Sequence, residues 1–403
     1  MAHFVVIGAG QAGASLVAKL RSEGFDGEIT LIGAEEHPPY QRPPLSKAYL
    51  LGEMALERLF LRPQSFYDDH DITLRLNTRV TDIDAAAHSI TLSTGETLNY
   101  DKLALTTGSH PRTLPAAIGG TLDGVYTMRD LQDADTMAPE FTAGRHVLII
   151  GGGYIGLEAA AVAAKKGLKV TLVEMADRIL QRVACPETSD YFRELHKSHG
   201  VEIREGVGLD RLTGTDRVTA AQLTDGSELP VDFVIVGVGI LPATALGEAA
   251  GVEVENGIVT DQYTCTSDPD IFAAGDCATL QFKGQKIRLE SVGNAIDQAE
   301  IAAQNMMGKG IEYVPAPWFW SDQYDCKLQI AGLNIGYDRV FVKEGDNGAR
   351  SHWYYQGDTL IAVDAMSDSR NYMVGKRLIE AGKSPAPEII TDPATDMKAL
   401  LRA

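Results

Sequence analysis

The chain has no two cysteines close enough to work as a pair. Cys185, Cys265, Cys277 and Cys326 are scattered through 403 residues, with no CxxC or CxxxxC spacing among them. That spacing suits neither a zinc site nor a redox disulfide, and four reduced thiols are expected. Long apolar runs are also missing: none approaches the ~20 residues a membrane-spanning helix needs. No basic leader precedes the first apolar strand, His3 to Ile7, so a secretory signal is not expected and the cytoplasm is the expected compartment. Positive charge is scarce. Lys and Arg number 36 against 55 Asp and Glu, a net charge of −19, which argues against nucleic acid or an anionic membrane as a partner. What is present is ordinary for a soluble globular protein, 44% hydrophobic and 23% charged, and the length calls for two or three domains.

The same module occurs twice. HFVVIGAGQAG reads as a buried strand, a glycine-rich turn and the start of a helix, and HVLIIGGGYIG repeats that order. Leu16, Val17 and Leu20 mark the apolar face of the first helix. Each helix leads to a second strand, EITLIG and KVTLVE, and the modules close alike, on TGETLNYDKLALTTG and DGSELPVDFVIVGVG. Matched openings and closings at similar separations predict two doubly wound α/β domains. A further strand, DIFAA, precedes Gly275 and Asp276, and a helix is expected from about Asn294 to Met307. After Pro315 and Pro317 the alternating runs KLQIAGL, RVFVKEG and TLIAVDA predict an antiparallel sheet in a smaller α+β domain. The tail from Pro385 reads as a peripheral segment closing with a short helix.

The glycine spacing has a chemical reason. In GAGQAG, Gly8 permits the tight turn, Gly10 lets a diphosphate approach the backbone, and Gly13 lets helix and strand pack closely. The helix N-terminus then offers free amides and the positive end of its dipole. Glu35 and Glu36 follow about twenty residues on, where a ribose contact is required, and either of them or the backbone at Ala34 suits that role. In GGGYIG, Gly151, Gly153 and Gly156 take the same three parts. The second strand of that module ends on Glu174, whose carboxylate accepts hydrogen bonds from ribose hydroxyls and repels a 2′-phosphate. NADH is therefore favoured over NADPH, with Arg178 close enough behind to soften the preference. Two such sites imply two dinucleotides, a nicotinamide and a flavin being the combination that passes hydride. Spacing alone leaves open which site takes which.

With these motifs the chain resembles the FAD-dependent pyridine-nucleotide oxidoreductases. Within them it is similar to the reductases that feed small [2Fe–2S] ferredoxins in bacterial cytochrome P450 and ring-hydroxylating dioxygenase systems. The resemblance covers essentially the whole chain, including YQRPPLSK, APWFWSDQY and DPATDMKALL. It implies a glutathione-reductase-like α/β fold: a discontinuous FAD domain at 1–111 and 242–318, an NAD domain at 112–241 and an α+β domain at 319–403. GAGQAG, with Ala12, is implied to hold FAD, and GGGYIG, with Ile155 and Gly239, to hold NADH. Further FAD contacts implied by motif are Arg42 and Lys47 in YQRPPLSK, Thr107 and Gly108, Arg129, and Gly275 and Asp276. Val80, Val292 and Trp320 are carried over as well, Trp320 at the side where electrons leave. The resemblance also aims the helix opening at SVGNAIDQA toward the flavin pyrimidine. Position 34 is a departure, alanine where several relatives have an acid.

Lys47 and Glu158 are the implied supporting pair for hydride transfer, beside the flavin and the nicotinamide. YQRPPLSK stands where disulfide reductases carry their cysteine pair, so a disulfide or peroxide reductase is excluded. A different class remains as the alternative, a slow-turnover flavoprotein resembling apoptosis-inducing factor. An acidic ferredoxin cannot be drawn to a chain of net charge −19 as a whole, so docking is expected to use a local basic patch or an apolar contact near the flavin edge. Lys286, Arg288, Arg339, Lys343, Arg350, Lys376 and Arg377 are the candidate cations.

Overall fold

A computed structural model describes residues 1–402. The chain folds as two compact units, residues 1–41, 56–110 and 240–317 in the first, and 42–55, 111–239 and the remainder from Trp318 in the second.

The first unit is built on a parallel sheet of five strands in the order Ile271–Ala273, Lys102–Leu105, His3–Ile7, Glu28–Ile32 and Ile72–Arg75. Strands buried on both faces need continuous apolar runs, and FVVI and ITLI supply them. The helix Gln11–Ser22 packs on this sheet through Leu16, Val17 and Leu20, each fully buried. The helix Val292–Met306 lies against it through Ala299, Ala302 and Ala303. It begins two residues earlier than its periodicity suggests, because Ser291 is a good N-cap: its hydroxyl accepts the Asn294 amide.

The second unit repeats the plan. Its parallel sheet runs Val125–Tyr126, Phe233–Val236, His146–Ile150, Lys169–Glu174 and Glu202–Glu205; the last four match the first sheet's order, whereas the outer strand comes before its module in the chain and Ile271–Ala273 comes after its own. Each module also carries a three-stranded antiparallel sheet before its closing strand. The same unit contains a five-stranded antiparallel sheet, in the order Trp318–Gln323, Cys326–Gly332, Thr359–Met366, Arg350–Gln356 and Arg339–Glu344, covered by the helix Ser369–Glu380. The tail is not peripheral. Ile390 and Met397 are buried in one cluster with Trp353, Tyr355, Val363 and Leu378, so apolar burial anchors a segment whose sequence reads as peripheral.

Candidate active site

From one edge of the first sheet to its middle, three neighbouring strands end side by side. The chain leaves them at Gly8, at Thr107 and Gly108, and, one residue past Ala274, at Gly275 and Asp276. Gly8 has φ +113°, and a Cβ there would lie 2.2 Å from the Thr106 carbonyl oxygen; at Gly13 it would lie 2.0 Å from the Gly8 carbonyl oxygen. At Gly10 it would meet nothing within 4 Å, so the backbone is open on that side. The helix that follows has no side-chain cap and no acid in its first turn, whereas the helix Leu131–Met137 has a full capping box from Asp130 and Asp133. Uncapped amides over an open glycine suit an anionic diphosphate.

Asp276 is held by neighbouring segments. Ser109 Oγ donates to its Oδ2 at 2.9 Å, and Arg288 donates to its backbone oxygen at 3.1 Å. Gly275 donates to Gln298 Oε1 at 2.9 Å and, lacking a Cβ, comes close to Ala12. The Thr107 hydroxyl is taken by the Ala243 carbonyl at 2.7 Å. Val292 opens its helix. Past the second strand Ala34 and Glu36 are exposed, while Glu35 accepts from the Tyr40 hydroxyl. Val80 opens a strand of the antiparallel sheet and is half-buried.

The second unit has the matching site. Gly151 has φ +105°, a Cβ on Gly156 would lie 2.1 Å from the Gly151 carbonyl oxygen, and Gly153 has nothing within 4 Å. The helix Tyr154–Lys165 again starts without a side-chain cap or an acid, and Ile155 in its first turn is 44% exposed, an apolar side chain turned outward beside the open turn. Glu174 is already fixed: one carboxylate oxygen accepts the Gly152 amide at 2.7 Å and the other the Ala176 amide at 2.8 Å. Each oxygen keeps a lone pair for a hydroxyl. Arg178 does not face this site as a free cation, since its guanidinium donates to Ser189 Oγ and to the carbonyls of Gln181, Ala184 and Cys185. Gly239 (φ +100°) lies instead against Arg182 and Arg112, two cations that spacing did not single out.

Two prolines set the loop that carries Lys47. Their fixed φ favours the tight turn Pro43–Ser46, Leu45 anchors it at 1% exposure, and the Lys47 amide closes it on the Pro44 carbonyl. Lys47 Nζ then reaches Glu158 Oε2 at 2.8 Å. Glu158 is only 5% exposed, unusual for a glutamate. Ser46 Oγ donates to the same oxygen at 3.0 Å and Ser321 Oγ to Oε1 at 2.7 Å. Both serines lie inside segments that carry the resemblance, Ser46 in YQRPPLSK and Ser321 in APWFWSDQY, but neither segment gives its serine a role. Period-2 alternation puts Phe319, Ser321 and Gln323 on one face of their strand. Phe319 packs on Tyr154, while Trp320, on the other face, stacks on Trp318. Arg42 and Arg129 also meet, through an Arg42 guanidinium bond to the Arg129 carbonyl at 2.9 Å.

The same unit buries a second polar cluster. Thr188 Oγ1 donates to Asp364 at 2.8 Å and lies 2.7 Å from His352 Nδ1 and 3.3 Å from Cys185 Sγ. Its single proton goes to the carboxylate, so His352 carries its hydrogen on Nδ1. Burial drives His352 down to about 3 and His196 down to about 4, and drives Asp364 up to about 6. The two histidines bind protons more readily unfolded, so their stability is complete above about pH 6.5 and is lost as pH falls toward 4 and 3. For His196 the loss is roughly 3 kcal/mol. Asp364 acts in the opposite sense, because its folded form takes up a proton first as pH falls through 6. Two groups outweigh one, so the thermal midpoint is expected to drop between pH 6.5 and 4, and His352→Asn to shallow that slope. A midpoint that rises on acidification to pH 5 would make Asp364 the dominant group instead.

Residues 2–299 match the family model described as pyridine nucleotide-disulphide oxidoreductase, and residues 318–401 the one described as reductase C-terminal. The 5,5'-dehydrodivanillate O-demethylase ferredoxin reductase subunit of Sphingobium sp. (strain NBRC 103272 / SYK-6) is 40% identical over 412 residues, covering 100% of both chains. Putidaredoxin reductase CamA of Pseudomonas putida is 40% identical over 409 residues, covering 100% of this chain and 97% of that one. Among solved structures, the covalent putidaredoxin reductase–putidaredoxin complex matches with a TM-score of 0.96 at 38% identity, covering 100% of this chain and 98% of that chain.

Proposed function

The chain belongs to the pyridine nucleotide-disulphide oxidoreductase family, and on that premise we propose that it is an NADH-dependent ferredoxin reductase serving a cytochrome P450 or a ring-hydroxylating dioxygenase. The observation that carries this reading is what the proline-stiffened loop delivers to Glu158: an ammonium from Lys47, where a disulfide reductase needs a thiol. All four cysteines are free, and three of them are buried. FAD, when bound, would supply a two-electron acceptor for hydride that can release its electrons singly. The site residues do the rest. The amides after Gly10 and Gly153 receive diphosphates, Glu174 holds ribose hydroxyls, and Asp276, Thr107, Gly108, Arg42 and Arg129 are assigned to FAD. Lys47 and Glu158 hold a charge pair at the reacting end, and Trp320 is assigned to the side where electrons leave. The three-domain division at 111/112, 241/242 and 318/319 belongs to the same proposal. Full-length relatives named as reductases leave a slow-turnover signalling flavoprotein unfavoured. The cytoplasm, as compartment, is supported by the free cysteines. No helix among the described residues is long and apolar enough to cross a membrane.

For ferredoxin docking the candidate cations separate. Lys286, Arg288, Arg339, Arg350 and Lys376 each pair with an acid, and Lys343 donates to the Asp392 carbonyl. Arg377 has no ion pair among the described residues and lines a surface cavity of about 720 Å³ with Lys398 and Arg402, and with Arg370, which is itself paired with Asp396 at 3.3 Å. We place the basic patch there. NADH-driven reduction of a panel of [2Fe–2S] ferredoxins tests the acceptor class, and salt tests the patch. Ferredoxin reduction should slow as salt rises past ~0.15 M, where the screening length is about 8 Å, and Arg377→Glu should slow it at low salt. Hydride transfer should change much less. A rate flat in salt and indifferent to Arg377→Glu would favour apolar docking near Trp320.

A further inference from the structure

Glu158 stands at the end of a chain of hydrogen bonds that all point toward it. Ser321 Oγ lies 2.7 Å from Glu158 Oε1, Gln323 Nε2 3.1 Å from Ser321 Oγ, His196 Nε2 2.8 Å from Gln323 Oε1, and Tyr324 Oη 3.1 Å from His196 Nδ1. Ser321, Gln323 and His196 are fully buried, and Tyr324, half-buried, stacks at 3.7 Å on the exposed His199.

The direction follows from the chemistry of each group. A carboxylate paired with Lys47 only accepts, so the single Ser321 proton goes to it. Ser321 must then accept from Gln323, which turns the amide's NH2 toward the serine and its oxygen toward His196. That oxygen only accepts, so His196 carries its hydrogen on Nε2. Burial holds His196 down at about 4, neutral at physiological pH, so its Nδ1 bears a lone pair and takes the Tyr324 proton. No link can be reversed while Glu158 is ionised. Aligned donors of this kind polarise one another, and they favour charge at the end they point to.

We propose that Ser321, Gln323 and His196 are positioning residues for the Lys47–Glu158 pair, a directed string that fixes the carboxylate with Oε2 toward the ammonium. The proposal rests on the assignment of Lys47 and Glu158 to hydride transfer. Gln323 contributes as the rigid adaptor between a hydroxyl and an imidazole, a part that neither Glu nor Leu can play.

Two measurements test it, one independent of turnover. In holoprotein labelled with ¹⁵N at its histidine rings, the His196 signal, assigned by its loss in His196→Gln, should be a neutral Nε2–H tautomer that does not titrate between pH 5 and 8. His352 should show the opposite tautomer. Gln323→Leu should remove the His196 tautomer preference. In anaerobic stopped flow, Ser321→Ala and Gln323→Leu should lower the limiting rate of flavin reduction by NADH about tenfold, with FAD content kept and the NADH dissociation constant within about twofold. Ser321→Thr should restore most of the rate. Should either variant fail to fold, Tyr324→Phe, which removes the last donor at nearly constant volume, should still shift the His196 ring signals. A titrating His196, an Nδ1–H tautomer, or rates in Ser321→Ala and Gln323→Leu equal to wild type while Glu158→Gln is slow would overturn the string alone. A wild-type rate in Glu158→Gln would overturn the assignment of the pair, and the string's positioning role with it.

Discussion

Glu174→Ala is expected to raise the dissociation constant of NADH by roughly ten- to a hundredfold and to narrow the gap between NADH and NADPH. The carboxylate is committed to backbone amides on both oxygens, 2.7 Å from Gly152 and 2.8 Å from Ala176, so it is held in place before any ribose arrives. A hydrogen bond to a charged group is worth about 1.5–3 kcal/mol, which is that factor in affinity. Removing the carboxylate also removes the charge that repels a 2′-phosphate. Arg178, whose guanidinium is used on Ser189 and three carbonyls, is not expected to take over phosphate binding. Glu174→Gln loses the repulsion and keeps one acceptor but turns its NH2 toward one of the two backbone amides, so its NADH affinity should fall between those of the alanine variant and the unaltered protein. Titrating each variant with NADH and NADPH checks this, and equal use of the two coenzymes by the unaltered protein would remove Glu174 from the site.

Lys47→Met is expected to slow hydride transfer by about ten- to a hundredfold while leaving FAD bound. The charge facing Glu158 is lost although Ser46 and Ser321 still hold its oxygens. A buried carboxylate left without its cation is costly, about 3–5 kcal/mol where such pairs have been broken. Lys47 is itself partly open, 18% exposed at its side chain, which puts the expected loss of stability at the lower end. Lys47→Met with Glu158→Gln should recover part of that stability without recovering the rate. Single-turnover flavin reduction read beside thermal melting makes the comparison. Unchanged reduction rates in Lys47→Met would return both residues to a structural part.

The architecture was legible because it repeats and because its signals are local. HFVVIGAGQAG and HVLIIGGGYIG each contain a buried strand, a glycine turn and a helix start within a dozen residues, and four strands of each sheet follow the same order. Glycine roles could be assigned for the same reason: each depends on a neighbour a few residues away or on an adjacent strand. Helix and tail boundaries were less legible. Ser291 as a cap moved one helix start, and Ile390 and Met397 reached a core that no local pattern announces. Least legible were the partners of Glu158. Ser321 lies 163 residues away and Ser46 112, and although YQRPPLSK and APWFWSDQY contain them, nothing local says that they meet one carboxylate. The Thr188, His352 and Asp364 cluster has the same origin, three segments joined only by folding. Docking charges were legible as a set of residues but not as a patch, since whether a cation is free depends on the acids that folding brings beside it.

In the proposed reaction two electrons enter together as a hydride from NADH and leave singly to two molecules of an iron–sulfur protein, the hydride's proton being released. Sequential-mixing stopped flow under anaerobic conditions tests it most directly, with NADH added first and a [2Fe–2S] ferredoxin second. Protein that keeps FAD through gel filtration should be bleached rapidly by NADH, more slowly by NADPH, and then be reoxidised rapidly as ferredoxin is reduced. A protein that purifies without FAD, or one whose NADH-reduced form persists unchanged against every ferredoxin in a broad panel, would contradict it.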